Sequence, residues 1–241
     1  VYIKIMNDLT VIYCSSNMEV PEFEKRITDD LLKKCGDLPI ISVTQKPMDL
    51  GTNICVGDDI GVSGFNFFRQ SLIACQNAKT KFVISAEADT VYPEDYFQWV
   101  PPRDDVCYRN TNLYVMGQHR SYFFKKPWGA THAQIVGREF YIKRLEMIFS
   151  GCPQWSAEDK NFPKERCKKS DVFPDGSRDW KHPRRENCIE FYESENPVVQ
   201  IKTSHSMRHY TASIREPVYS IPYWGKGSDF RQKYYAIGFR H

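Results

Sequence analysis

Two carboxylates, one residue apart, close an apolar run: Lys81-Phe82-Val83-Ile84-Ser85-Ala86-Glu87-Ala88-Asp89. The run reads as a buried strand over 81–89, and on a strand residues i and i+2 share a face. Glu87 and Asp89 would then repel each other unless a cation stood between them. A hard divalent ion with oxygen ligands meets that need. The C-terminal ends of strands are also where open α/β sheets bind ligands. The plain alternative is a solvated strand end before the turn Thr90-Val91-Tyr92-Pro93.

The elements that must hold this pair in place are legible around it. Leu9 to Cys14 is a β-branched apolar run ending in the polar loop Ser15-Ser16-Asn17. Pro21 to Cys35 carries Phe23, Ile27, Leu31 and Leu32 at helical spacing, and Gly36-Asp37 stops it. Pro39 to Thr44 reads as a second strand. After the turn-rich stretch 58–64, Phe65, Phe68, Leu72 and Ile73 predict a helix to Ala78, with Ser63 as N-cap. Pro93 suits the first turn of a further helix, Glu94 to Val100. Val106–Arg109 and Leu113–Met116 flank Asn110-Thr111-Asn112, a hairpin signal. A short apolar stretch at 133–136, a helix over 140–149 and a late strand over 197–204 follow, with 150–197 read as loops and short helices. Strands alternating with helices predict an α/β fold with a mostly parallel sheet.

The order helix, buried strand, acidic pair, turn resembles the central part of the GT-A nucleotide-sugar glycosyltransferases, family-2-like members above all. In those the helix carries an Arg and an Ala ahead of a strand ending in Asp-x-Asp. Here Arg69-Gln70 and Ala74 stand on the helix, and the pair is Glu87-Ala88-Asp89. Glu in the first acidic position departs from the commonest form. The resemblance covers about the first 140 residues. It implies a GT-A-like, Rossmann-like single domain over 1–241, with a nucleotide-sugar-binding half at 1–118 and a loop-rich acceptor half at 119–241.

It further implies an enzyme that moves a sugar from a nucleotide-diphosphate sugar to an acceptor hydroxyl. Asp89, Glu87 and His205, which directly follows the late strand, would hold Mn²⁺ or Mg²⁺, with His209 as fallback. The ion would neutralise charge on the leaving diphosphate. Ser15, Ser16, Asn17, Arg69 and Glu87 would face the donor. In Trp155-Ser156-Ala157-Glu158-Asp159, Asp159 or Glu158 would deprotonate the acceptor, a step a poorly nucleophilic hydroxyl requires. The reaction would then invert configuration, with a retaining enzyme as the alternative, since the sequence does not fix the geometry. Ser156 equally suits a helix N-cap with acids in the first turn, and the two roles are compatible.

Composition leaves the acceptor open. The 241 residues are 41% hydrophobic, enough for one sizeable core, and a net charge of +3 from 33 basic and 30 acidic residues forces no partner. Lys164 to Arg185 is locally basic, with Lys168, Lys169, Arg184 and Arg185 set among Phe173, Trp180 and His182. Basic residues with interleaved aromatics suit a nucleic acid, which would make the acceptor a hydroxylated DNA base. A glycan or protein acceptor, stacking on Trp155, Trp180 or Trp224, is the alternative. A nucleotidyltransferase would also place a metal on acidic strand ends, but would bring a Gly-rich phosphate loop that Cys14 to Asn17 lacks. A non-catalytic nucleic-acid-binding module would leave the carboxylate pair unexplained. Eight cysteines without a Cys-x-x-Cys pair suit buried thiols, although Cys152, Cys167 and Cys188 with His182 share one loop-rich region and could bind zinc. No signal segment and no apolar run near the roughly 20 residues that span a bilayer is visible. A soluble cytoplasmic protein, with no membrane insertion, is the expectation.

Overall fold

The computed structural model describes residues 8–158, 161, 163, 173, 188–206 and 216–235. Its centre is a seven-stranded sheet in the order β10-β6-β9-β4-β1-β2-β3. The strands are β1 (Leu9–Ser15), β2 (Ile40–Thr44), β3 (Thr52–Cys55), β4 (Phe82–Glu87), β6 (Cys107–Asn110), β9 (Gln134–Gly137) and β10 (Ile189–Tyr192). Every pairing is parallel except those of β9, which runs antiparallel to both β4 and β6. A four-stranded sheet, β5 (Thr90–Val91), β11 (Val198–Lys202), β7 (Leu113–Gly117) and β8 (Phe124–Lys125), stands beside it. This mostly parallel α/β sheet flanked by helices is the class the sequence predicted.

Helix α1 (Pro21–Cys35) keeps the predicted bounds for local reasons. Pro sits at its first turn with Glu22 and Glu24, Lys33 and Lys34 close the last turn, and Gly36 takes φ +59° just past the end. Helix α2 (Gly64–Asn77) begins at Ser63, whose hydroxyl accepts the Asn66 N–H at 3.0 Å. Strand alternation divides the core. Val11 and Tyr13 of β1 and Ile84 and Ala86 of β4 pack with Leu31 of α1 and with Tyr92 and Tyr96. Ile12 and Val83 face the other side, against Phe65, Phe68 and Leu72 of α2 and Tyr141 and Leu145 of α3 (Arg138–Phe149). A third cluster joins Phe23 and Ile27 of α1 to Val199 and Ile201 of β11 and to Phe230 and Tyr234 of α4 (Gly227–Tyr234).

Four expectations are corrected. The strand ends at Glu87, and the chain turns through Ala88-Asp89 into β5 of the second sheet, so the two carboxylates do not share a strand face. The predicted helix over 94–100 is a single 3-10 turn, Glu94–Phe97, ahead of Pro101 and Pro102, which have no N–H to continue it. The segments around Asn110-Thr111-Asn112 form no hairpin, because β6 lies in the main sheet and β7 in the second. Asn110 makes the crossover: its carboxamide accepts the Asn112 N–H at 2.9 Å and donates to Ser194 Oγ at 2.6 Å. The stretch read as loops at 150–197 also contributes β10, which pairs with β6. Among the described residues no helix is long and apolar enough to cross a membrane.

Candidate functional site

The chain builds β1, β2 and β3 outward in one direction and then returns to lay β4 on the other side of β1. Open α/β sheets bind ligands where the strand order reverses in this way, at the carboxyl ends. The register places Cys14 opposite Glu87, so the ends of β1 and β4 lie side by side. A cleft opens there, of about 630 Å³ with its solvent-filled mouth included. Ser15 at the end of β1 and Ser16 just past it, Met18 and Glu19 before α1, the N-cap Ser63 with Asn66 and Gln70 of α2, Glu87 at the end of β4 with Ala88 and Asp89 after it, and His205 and Ser206 after β11 line it.

The acidic turn is held from three sides. The Glu87 N–H donates to the Tyr92 hydroxyl at 3.1 Å, and that hydroxyl donates to the His132 carbonyl at 2.7 Å. The Asp89 carbonyl accepts the Ile201 N–H at 2.6 Å, which locks the turn to β11. Both Asp89 carboxylate oxygens accept from the Gln200 amide at 3.2 Å, and Oδ1 accepts the Thr90 hydroxyl at 3.0 Å. Ser206 Oγ stands 3.4 Å from Oδ2, and the Lys202 ammonium 3.7 Å from the same oxygen. Glu87 and Asp89 thus reach one cleft through a turn, where the sequence suggested a shared strand face.

Glu19 is a member of this site that the sequence reading missed. Thr203 donates to it at 2.7 Å. Burial pushes its carboxyl up to about 7, aided by the nearby Asp89 and Glu24 charges and opposed by Thr203 and Lys202. The folded state therefore favours the protonated form. The stability this gives is complete below the ordinary carboxyl range and is lost as pH rises through about 7. Glu19→Gln keeps an acceptor for Thr203 and removes the ionisation. It should match the parent near pH 4 and exceed it by about 1–2 kcal/mol at pH 8, the full shift being discounted for solvent screening of this half-buried group. Denaturant unfolding at both pH values checks this, and equal pH profiles for the two proteins would refute it.

The remaining predicted residues separate. Ser15 lines the cleft, but its hydroxyl donates to the buried Glu24 carboxylate at 2.6 Å and accepts the Asn17 N–H at 2.9 Å. Ser16 lines the cleft half-buried, and His205 lines it exposed. Asn17, at φ +52°, spends its side-chain oxygen on the Lys46 N–H at 2.8 Å. Arg69 does not reach the cleft. Its guanidinium lies 4.4 Å from the Phe149 ring centre and donates to the Pro153 carbonyl at 2.6 Å and the Cys152 carbonyl at 3.3 Å. It thus closes the carbonyl end of α3. Gln70, one residue on, fills the position expected of Arg69. Its amide donates to the Ser15 carbonyl at 3.0 Å and the Val43 carbonyl at 2.9 Å, tying α2 to the ends of β1 and β2. Arg69→Met should cost about 1–3 kcal/mol of stability and leave ligand affinity at the cleft unchanged. Paired unfolding and binding measurements test this.

The loop carrying Glu158 docks on the N-terminal end of α2. Asn66 Oδ1 accepts the Ser156 N–H at 2.8 Å, and Ser63 Oγ donates to the Ser156 carbonyl at 2.5 Å. Gly61, at φ +79°, permits the approach, since a Cβ there would meet the Ala157 methyl at 2.6 Å. Ser156 Oγ accepts the Glu158 N–H at 3.2 Å, but residues 156–158 are not helical, so this bond closes a local turn in place of the suggested helix cap. Glu158 is exposed beside the cleft and is not among its lining residues. Asp159, His209, Cys167, His182, Trp180 and the basic positions Lys168, Lys169, Arg184 and Arg185 lie outside the described residues. Trp224 donates to the Pro197 carbonyl at 2.6 Å and packs on Phe230, so it is a structural side chain.

A divalent ion fits this donor set poorly. Asp89 offers the right chemistry, yet its oxygens already accept from an amide and a hydroxyl, and an ammonium stands beside Oδ2. Among the described residues no three His, Cys, Asp or Glu side chains gather as a metal site. The zinc expectation at Cys152, Cys167, His182 and Cys188 is not tested by this, because Cys167 and His182 lie outside the described residues.

No protein-family model matches the chain, and no curated protein does. Among solved structures it is similar to a glycosyltransferase involved in the glycosylation of the major capsid of PBCV-1 (12% identity, covering 79% of this chain and 91% of that one, TM-score 0.44). It is also similar to S. aureus TarS 1-349 in complex with UDP-GlcNAc (13% identity, 83% and 60% covered, TM-score 0.44). A third is the bifunctional IspDF from Campylobacter jejuni (11% identity, 79% and 50% covered, TM-score 0.41). The chain spans half of the IspDF chain and three fifths of the TarS chain. These are likenesses of overall shape, and the functional reading rests on the cleft.

Proposed function

We propose that the protein is a glycosyltransferase taking its sugar from a nucleotide-diphosphate donor. The observation that carries this is the convergence, at the β1/β4 switch point, of polar strand ends, the first turn of α2 and the carboxylates Glu87 and Asp89 on one open cleft. The serine-lined and Met18-lined side suits a nucleoside, and the acidic side suits sugar hydroxyls, which carboxylates accept in charge-assisted bonds. Asp159 or Glu158 is the proposed base on the acceptor hydroxyl, with inversion at the anomeric carbon. The resemblance adds Mn²⁺ or Mg²⁺ on Asp89, Glu87 and His205. The occupied oxygens of Asp89 argue against that assignment. The proposed acceptor is a hydroxylated DNA base held by the basic segment 164–185, with a glycan or protein as the competing class.

Thermal unfolding with UDP, GDP and the matching triphosphates, each with and without Mn²⁺, tests the reading. Stabilisation by a nucleoside diphosphate supports it. A preference for triphosphates moves the reading to nucleotidyl transfer, and no shift with any nucleotide overturns it. Transfer to hydroxymethylated DNA and to simple sugars, at low and high salt, then separates the acceptor classes, because phosphate contacts make affinity fall steeply with salt.

A further inference from the structure

We propose that Lys202 supplies the positive charge that meets the donor's diphosphate, the role the acidic pair first suggested for a divalent ion. This rests on the nucleotide-sugar reading above. Lys202 is not itself among the residues that line the cleft, and three observations hold it against Asp89, which is. The hydrogen bond from the Ile201 N–H to the Asp89 carbonyl, at 2.6 Å, fixes the last step of β11 against the acidic turn. Gln200 and Lys202, two apart on that strand, share a face and both reach Asp89, the amide at 3.2 Å from each oxygen and the ammonium at 3.7 Å from Oδ2. The two charged side chains are only 17% and 13% exposed, so their interaction escapes much of the screening that weakens surface pairs.

Charge balance favours an ammonium here. Glu87 and Asp89 bring two carboxylates to the cleft lining beside Glu19, whose carboxyl burial holds toward the protonated form, and a diphosphate adds negative charge. Lys202 is the cation paired with Asp89 among the described residues. In the free protein it and the carboxylate satisfy one another. With donor bound, each takes the ligand group that matches it: the ammonium donates to phosphate oxygens, and Asp89 accepts a sugar hydroxyl. A lysine on a flexible four-carbon stem can make that exchange with little movement of the strand. His205 and Ser206, which follow Lys202 closely, line the cleft with Asp89, so the segment leaving β11 borders the cleft.

Calorimetric titration with UDP, GDP, inorganic pyrophosphate, uridine and guanosine, in EDTA and in Mn²⁺, tests this on the parent, Lys202→Met and Lys202→Arg. The parent should bind a nucleoside diphosphate in EDTA. Lys202→Met should weaken that binding about 10- to 100-fold, the range for one charge-assisted contact. Lys202→Arg should recover most of it, and the uncharged nucleoside should bind all three alike. Diphosphate binding that requires Mn²⁺ and is equal in parent and Lys202→Met overturns the proposal and leaves the transferase reading standing. Should Lys202→Met fail to fold, the parent in EDTA still decides, since a strict Mn²⁺ requirement refutes the role. No nucleotide binding under any condition removes the transferase reading, and this inference with it.

Discussion

Asp89→Asn should cut transfer by about 10²–10³-fold in a chain that stays folded, the usual cost of removing one electrostatic group from a reacting centre. The carboxylate stands at the end of β4 in a turn fixed largely through its backbone, because its carbonyl accepts the Ile201 N–H. Asn preserves that bond and most of the shape. It removes the charge that Gln200, Thr90 and Lys202 surround. Lys202 would be left partly buried without its counter-ion, so a stability loss of about 1–3 kcal/mol should accompany the loss of activity. Unfolding curves and initial rates on the same preparations separate the two effects. A folded Asp89→Asn protein with parental turnover would remove Asp89 from the chemistry. Glu87→Gln makes a sharp comparison. Glu87 lines the same cleft but meets it from the last residue of β4, and the larger loss is expected at Asp89.

What could be read from the chain followed how local each feature is. Helix α1 carries its own start and stop in Pro21 and Gly36, and β1, β2 and β4 are β-branched apolar runs that can only be buried. Strand β3 is Thr-Asn-Ile-Cys at the sheet edge, half-exposed and without alternation, so nothing in its sequence announces a strand. Asn110-Thr111-Asn112 has the composition of a tight turn, yet Asn110 caps a crossover between sheets, and pairing partners far along the chain decide that. Arg69 and Gln70 show the same limit on a helix. Neighbouring residues point about 100° apart, so one meets the end of α3 and the other the ends of β1 and β2. A signal for Gln70 was present: Asn66, Gln70 and Ala74 form a buried stripe at four-residue spacing, and polar members of such a stripe need partners. Lys202 had no such signal, because its meaning comes from Asp89, which is remote in sequence.

Asn66→Ala should be the most damaging single change in the cleft wall, at about 2–4 kcal/mol, because one carboxamide serves three backbone groups. Its amide donates to the Ile60 carbonyl at 2.7 Å and the Gly61 carbonyl at 3.0 Å, while its oxygen accepts the Ser156 N–H at 2.8 Å. The side chain is buried, so water replaces these bonds only if the loops part. Gln45 also donates to the Gly61 carbonyl, at 2.8 Å, and Ser63 still holds the Ser156 carbonyl. The loop should therefore loosen without leaving. Faster hydrogen exchange at the Ser156 and Ala157 amides is the direct readout. Ser156→Ala is the control, because the bond to Asn66 uses the backbone N–H and survives that change. Asn66→Asp should be at least as harmful, since it turns a donor into a carboxylate oxygen facing two carbonyls. If Glu158 or Asp159 is the base, its loop is carried by this contact, and Asn66→Ala should lower kcat as well as stability. A variant as stable as the parent, with unchanged exchange at Ser156, would show that the loop is held by Ser63 and Gly61 alone.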